Sequence, residues 1–598
     1  MTKFKKLATV YPYILLIISA FILLIRCNYS FCWSDETFYF STTYRFWQGD
    51  SIFLHEWFPT QLSSVLLLPL FSLYMKIVGS SAGIILYFRI CYVIFSFLCS
   101  LIIYRIIKHS YPVFISFACA FMYLFYAHLN IATMSYYTLS VSFFVLAAFL
   151  VFHFYQTKKN LYLILGGMSF ACSVLALPTL AVAYFIILFL IALLLIAVIF
   201  LPLSNSIKEM IKAAQLPTVC LYTFYGICIP ALLFMIYLFL NVSLQSFMNA
   251  IPYVLSDEEH VTSLTYPIRK FFIGINEVYG YAAYLGYILI IISFALALLE
   301  LFKREIPRRL RTILISVDLV LFLIYAFYSF GHTGYIQTAL CMFALPLFAL
   351  TKKKNWHMFF LLFAGGMIFA LVFSYSSNGY LYILSLGHSI AALGSILFIH
   401  DYINELLTEK TDALISQQLM AALCAGILIY SLIVTAALRI TNVYRDASLS
   451  QLTEQIKQGP AAGLYTTPKH LGMYEDVYQT LLSYCQATED HQSLFITKLL
   501  PYGYLCSDMQ CGAPTTWRTK FNSKRLDDYY LLNPERIPDV ILVLDPEYGS
   551  YDTCGDVVAD PSPNENEFDG GILSDLTTRK YQKTDVPCGV IYQKSLDD

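Results

Sequence analysis

The chain has 598 residues, of which 58% are hydrophobic, 17% aromatic and only 13% charged, against about 25% charged in a soluble globular protein. That balance, with a mean hydropathy of +0.64, excludes a soluble globular fold and predicts a polytopic α-helical membrane protein. A formal net charge of −1 leaves no basic field for nucleic acid.

A membrane-crossing helix needs about 20 apolar residues to span roughly 30 Å of hydrocarbon, and Lys and Arg clusters mark cytoplasmic connections. The first apolar stretch, residues 10–24, follows Lys3, Lys5 and Lys6, which predicts a cytoplasmic N-terminus. Arg26-Cys27-Asn28 follows it directly, with no small-residue cleavage site, so it reads as a retained span. Further spans are predicted near 83–107, 111–129, 133–156, 160–177, 179–201, 219–241, 276–301, 312–330, 335–350, 357–375, 380–400 and 416–438. Basic residues then fall on alternate connections: Arg105 and Lys108, Lys158 and Lys159, Lys208 and Lys212, Lys303 to Arg311, and Lys352 to Lys354. The expected layout is about 13 transmembrane helices over residues 1–439, in a multi-pass protein of the cell membrane. Leu62 to Val78 is apolar too, but a crossing there would invert every later loop; with Pro69 at its centre it is expected to form an outer-face juxtamembrane or re-entrant hairpin.

Beyond Arg439 the composition turns globular, predicting an extracytoplasmic α/β domain over 440–598 with a partly parallel sheet. Gly463-Leu-Tyr-Thr-Thr reads as a strand leading into a helix from about His470 to Gln486; Ser493 to Thr497 and Asp539 to Leu544 read as buried strands. Cys506–Cys511 and Cys554–Cys588 are candidate disulfides in an oxidising exterior. No zinc-type spacing of Cys and His occurs.

On this topology the polar segments 27–60, 129–134, 242–275 and 331–334 gather on the outer face. Ser34 to about Gln48 reads as a helix with Ser34 as N-cap and Asp35 and Glu36 in its first turn. Its Phe40, Tyr44 and Trp47 share one face, as expected of a helix lying flat in the interface. First-turn carboxylates are favoured by the helix dipole alone. Their position at the membrane surface adds a second reading, a general base that takes a proton from an acceptor hydroxyl. Arg89, near the outer start of a span, suits either a phosphate contact or simple snorkelling to the interface.

His55 and Glu56 are candidates for acceptor or divalent-ion binding, with plain solvation as the alternative. Tyr136 and Tyr137 suit a sugar pocket or an aromatic belt. Arg269 and Lys270 suit a lipid phosphate or headgroup positioning, and His332 lies between two glycines in an outer turn. The acidic run Asp257-Glu258-Glu259-His260 reads as a solvated face. Trp517 and Tyr502-Gly503-Tyr504 suit sugar stacking or core packing.

The ordered run Asp35-Glu36-Thr37-Phe38-Tyr39, Gly49-Asp50, Leu73 to Gly79 and Arg89-Ile90 resembles the first outer loop of GT-C fold membrane glycosyltransferases. It is most similar to the protein O-mannosyltransferase and lipid A aminoarabinose transferase group, over about 65 residues. Where that group has Lys-Pro-Pro, this chain has Pro59-Thr60-Gln61 and so lacks the lysine. The resemblance implies an inverting transferase with a polyprenyl-phosphate sugar donor and a lipid, glycan or protein acceptor. It implies Asp35 as catalytic base, Glu36 as its neighbour in the acceptor site and Arg89 as a donor-phosphate ligand. Metal dependence stays open. The rival expectation is a transporter or flippase of lipid-linked sugars, which would show internal repeats and paired broken helices; no such repeat is evident.

Overall fold

The computed structural model describes residues 2–200, 209, 211–256, 266–301, 307–329, 334–375, 381–408, 414–489, 491–497, 499–517, 523–548 and 571–595. Long apolar segments have no water in a bilayer to satisfy their backbone, so they fold as helices that bond internally. The helices in chain order are α1 (Thr2–Arg26), α2 (Asp35–Trp47), α3 (Leu62–Val78), α4 (Ile84–Ile107), α5 (Val113–Phe125), α6 (Tyr136–Thr157), α7 (Leu161–Ala176) and α8 (Leu180–Phe200). They continue as α9 (Leu216–Asn241), α10 (Leu244–Leu255), α11 (Tyr266–Tyr279), α12 (Ala282–Leu301), α13 (Arg308–Ser329) and α14 (Tyr335–Leu350). α15 (Trp356–Phe373), α16 (Leu381–Thr408) and α17 (Leu414–Thr441) complete the bundle.

Among the described residues, eight helices are long and apolar enough to cross a membrane, and the bent pair formed by α11 and α12 adds a ninth. Their outward faces fit lipid. On α8 and α9, Phe185, Ile199 and Leu240 are 68%, 73% and 81% exposed, a pattern that water would not tolerate over whole helices. The chain is therefore a polytopic helical membrane protein.

Two ends of the bundle are defined by hydrogen bonds. At one, Arg26 closes α1 onto the carbonyls of Ile440 in the last turn of α17 and Asn442 just past it, and Tyr126 meets Ser385 of α16. At the other, Tyr111 reaches Asp401 near the far end of α16 and accepts from Asn355 before α15. We call these the Asp35 face and the opposite face.

The expected hairpin at Leu62–Val78 is not formed. One continuous helix runs through Pro69 and ends at Gly79, whose φ of 76° closes it in the left-handed conformation. Both ends of α3 nonetheless stay at the Asp35 face. Ser64 donates to Tyr39 near its start, while past its end Ser81 donates to the Leu505 carbonyl and the Gly83 amide to Gly459. An apolar helix of crossing length thus lies along the face.

Helix–helix packing is closest where glycines remove side chains. A Cβ on Gly167 of α7 would lie 2.0 Å from the Thr223 carbonyl oxygen of α9, and one on Gly226 would lie 2.0 Å from that of Ile164. Only glycine admits this contact. Gly167→Val is expected to lower the detergent-solubilised Tm by several degrees, since overpacking costs about 1–3 kcal/mol; an unchanged melting curve would refute the crossing.

The C-terminal segment carries β1 (Glu454–Gln455) paired with β2 (Tyr465–Thr466), and a five-stranded sheet of β3 (Ser493–Ile496), β4 (Gln510–Cys511), β5 (Val540–Leu544), β6 (Tyr581–Val586) and β7 (Gly589–Lys594) in the order β4-β3-β5-β7-β6. β3 runs parallel to both β4 and β5, and β7 antiparallel to β5 and β6. The apolar runs of β3 and β5 sit in the centre and are almost wholly buried. Pro468 to Tyr484 forms the expected helix, capped by the Thr467 hydroxyl. Cys506 and Cys511 are separate thiols, which corrects the expected bridge, and Cys588 is also free; Cys554 lies outside the described residues. One apolar core continues from the helices through α2 into the sheet.

Candidate active site

α2 is a buried helix, not an interfacial one. All residues from Asp35 to Phe46 are buried and only Trp47 of its aromatic stripe is exposed. Ser34 does not cap it: its φ of −111° and ψ of −85° turn the hydroxyl away from the helix amides. The hydroxyl instead donates to Asp35 Oδ2 at 3.1 Å.

The two carboxylates part company at once. Glu36 is closed into a bidentate pair with Arg89, Nε to Oε1 at 2.6 Å and Nη2 to Oε2 at 2.5 Å. Arg89 Nη1 donates to the carbonyls of Cys27, Tyr29 and Ser30. The guanidinium that the resemblance assigns to a donor phosphate is thus engaged on all three nitrogens and buried. Such a pair ties α2 to α4 and to the turn after α1, and its rigidity comes from the two parallel charge-assisted bonds to one carboxylate.

Asp35 faces the other way. Its Oδ2 lies 2.9 Å from Arg445 Nε and accepts from the Tyr444 hydroxyl at 3.1 Å. The Arg445 side chain is 29% exposed, against 12% for Asp35 and 2% for Glu36, so the exposure of this cluster lies mainly on the Arg445 side. Burial works against the Arg445 charge, but Asp35 more than offsets it and holds the guanidinium above its ordinary value. Arg445 has a φ of 52°, the left-handed region that a long side chain enters only when its surroundings enforce it. Those surroundings include Asp446, which accepts from the Phe31 amide and from Thr466 and meets His470 at 2.9 Å.

An aromatic wall adjoins the carboxylate. Tyr39 stands edge-on to Tyr136 at 5.4 Å, Tyr136 lies 3.9 Å from Tyr137, and Tyr137 lies 4.5 Å from His128. Burial first, then the charge of Asp35, keeps the Tyr39 hydroxyl well above its usual range and hence protonated. Burial also lowers His128 to about 3, leaving it neutral. Lys270 is at the same face, with Nζ 3.3 Å from the Ser374 carbonyl next to Phe373, whose ring meets Tyr137. Arg269 on the same helix is exposed. His332 and Asp257 to His260 lie outside the described residues.

His55 and Glu56 belong to a different cluster at the far end of α2, about 15 Å along the helix from Asp35 at 1.5 Å per residue. Arg45 holds Asp50 at 2.6 Å and Glu56 at 3.0 Å, and Arg536 from the sheet segment holds Asp50 at 2.7 Å. His55 sits 3.4 Å from Glu535. Trp517 packs on Phe38 and Phe58, while Tyr502 and Tyr504 are buried in the core. These residues lock the first loop to the C-terminal segment.

Burial raises Glu56 to about 7 in spite of Arg45, and burial lowers His55 to about 4. Folding therefore favours a protonated Glu56, whose contribution is present below its unfolded value near 4.5 and lost as pH rises through 7. A neutral His55 contributes above its unfolded value near 6.5, and that contribution is lost as pH falls through 4. The slopes oppose each other between about pH 4.5 and 6.5. His55→Asn should leave a Tm that falls from pH 4.5 to 7, and Glu56→Gln one that rises from pH 4 to 6.5; matching slopes in both variants would contradict the assignment.

No family model and no curated protein matches this chain. The site must be read from its own chemistry. It does not fit a divalent cation: Asp35 is paired with Arg445, Glu36 with Arg89, and among the described residues no three His, Cys, Asp or Glu side chains gather as ligands. What it offers is a buried carboxylate, a partly exposed cation beside it and a cluster of tyrosine rings. The sequence singled out Asp35, Glu36, Arg89, Tyr136 and Tyr137 but not Tyr444 and Arg445. Their one signal is position, as the first polar cluster after the final apolar span.

Proposed function

We propose that the chain is an inverting glycosyltransferase with a GT-C-like membrane domain, using a polyprenyl-phosphate sugar donor and an acceptor hydroxyl at the Asp35 face. In this reading thirteen helices cross the cell membrane, α2, α3, α10 and α11 lie at the face, residues 440–598 form the extracytoplasmic domain, and the N-terminus is cytoplasmic. The observation that carries it is the Asp35–Arg445 pair at 2.9 Å, which sets a carboxylate beside a partly exposed cation.

The chemistry follows from that pairing. A donor phosphate competes for Arg445 and frees Asp35 Oδ2. Asp35 then takes the acceptor proton as the acceptor oxygen attacks the anomeric carbon from the side opposite the phosphate. The carbon–oxygen bond to phosphate breaks, and polyprenyl phosphate leaves with the electron pair, its charge met by Arg445. Tyr136, the partly exposed ring beside Tyr39 and Tyr137, offers a face for the sugar. Glu36 and Arg89 hold α2 in place.

Transfer of radiolabelled sugar from a polyprenyl-phosphate donor by the purified protein in liposomes tests this directly. A covalent glycosylated product is expected. Movement of the lipid-linked sugar between leaflets with no product would replace the enzyme by a transporter.

A further inference from the structure

The opposite face of the bundle holds a crevice of about 1500 Å³, larger than the roughly 300–1,000 Å³ typical of sites for small ligands. It touches α6 from Phe144 to Tyr155, so its far end lies about 28 Å along that helix from Tyr136 at 1.5 Å per residue. It shares no residue with the Asp35 cluster. Its walls are apolar, with Phe170, Leu188 and Phe360 between α7, α8 and α15, and Gly166 and Gly365 keep the space open. One wall includes the π-helical stretch Phe359–Ala364, a widening of the helix often found where something binds.

The mouth is basic. Lys352, Lys353 and Lys354 line it in the α14–α15 connection. Lys158 stands 5.4 Å over the Tyr155 ring, which stacks on His357 at 4.0 Å. Among the described residues, two carboxylates line it: Asp401 accepts from Tyr111 and lies 3.2 Å from His400, and Glu405 accepts from the Lys352 amide and lies 3.5 Å from Arg311, while Lys354 Nζ donates to the Thr351 carbonyl. Three consecutive lysines at the end of an apolar slot match a molecule with one anionic end and long apolar chains. A free phosphate would gain nothing from the walls, and a neutral lipid nothing from the lysines.

We propose that this crevice binds an anionic phospholipid of the leaflet opposite Asp35, with its phosphate among Lys352, Lys353 and Lys354 and its acyl chains between α7, α8 and α15. Lysines near the surface attract an anionic headgroup, so losing all three removes the preference for it.

Trp356 lines the crevice and supplies the readout. The full-length protein in nanodiscs is titrated with brominated phosphatidylglycerol or brominated phosphatidylcholine, and the Trp356 signal is taken as the difference from Trp356→Phe. Half-maximal quenching is expected at a mole fraction at least about fivefold lower for phosphatidylglycerol. The Lys352→Gln/Lys353→Gln/Lys354→Gln variant should quench equally with both lipids while eluting as wild type on size exclusion. Equal quenching by both lipids in the wild type overturns the proposal and leaves the lysines as topology determinants alone. A preference that survives in the triple variant also overturns it, and displacement by soluble glycerol phosphate reassigns the site to a water-borne anion.

Discussion

Asp35→Asn is expected to abolish sugar transfer while the protein still folds and still binds its donor. The substitution keeps the size of the side chain and its contacts with Ser34 and Tyr444 but removes the group that accepts the proton. General base catalysis contributes about 10²–10⁴-fold, so turnover should fall by at least two orders of magnitude in a radiolabel assay. Arg445→Gln is the companion variant. It should raise KM for the polyprenyl-phosphate donor as well as lower kcat, because the cation meets the phosphate before and during bond breaking. Full activity in Asp35→Asn would remove the catalytic role, and the pair would then be a structural feature of α2.

Arg89→Met is expected to destabilise the fold severely. It leaves Glu36 buried without its bidentate partner and frees the carbonyls of Cys27, Tyr29 and Ser30. Removing one member of a buried ion pair costs about 3–5 kcal/mol. The double variant Glu36→Gln/Arg89→Met should recover part of the loss, since no isolated charge then remains buried. Thermal unfolding in detergent measures both. A wild-type Tm for Arg89→Met together with lost donor binding would return Arg89 to the phosphate site that the sequence resemblance implies.

The contrast between these two carboxylates shows where sequence reading stops. Asp35 and Glu36 are adjacent, so no local pattern distinguishes them; successive residues on a helix point about 100° apart, and what each meets depends on the neighbouring elements. Glu36 meets a residue 53 positions away and Asp35 one about 410 positions away. Arg89 in an apolar span was visible as a costly charge. Its use as a brace for Glu36 was not, because burial and saturation are properties of the packed molecule. His55 and Glu56 read as solvated or as binding groups, yet the fold of the first loop against Arg45 and Arg536 encloses them.

The sheet divides in the same way. β3 and β5 are apolar runs that announce a buried centre. β6 is largely exposed and polar, so it carries no alternating apolar signal and is a strand only because β7 pairs with it. α3 was legible as an apolar segment, and the charge rule led to the expectation that it does not cross. That Pro69 sits inside one unbroken helix, with both ends held at the same face, required the contacts with Tyr39, Leu505 and Gly459.

Composition and segment length alone determined that this chain is a polytopic helical membrane protein, because a bilayer leaves an apolar segment no alternative to internal backbone bonding. They also set the Asp35–Glu36 pair a few residues after the first apolar segment. Tertiary structure decided which of the two carboxylates stays open, which cation stands beside it and where Arg89 is spent. Those outcomes depend on groups brought together from hundreds of residues apart, and no periodicity of 3.6 or 2 residues carries that information.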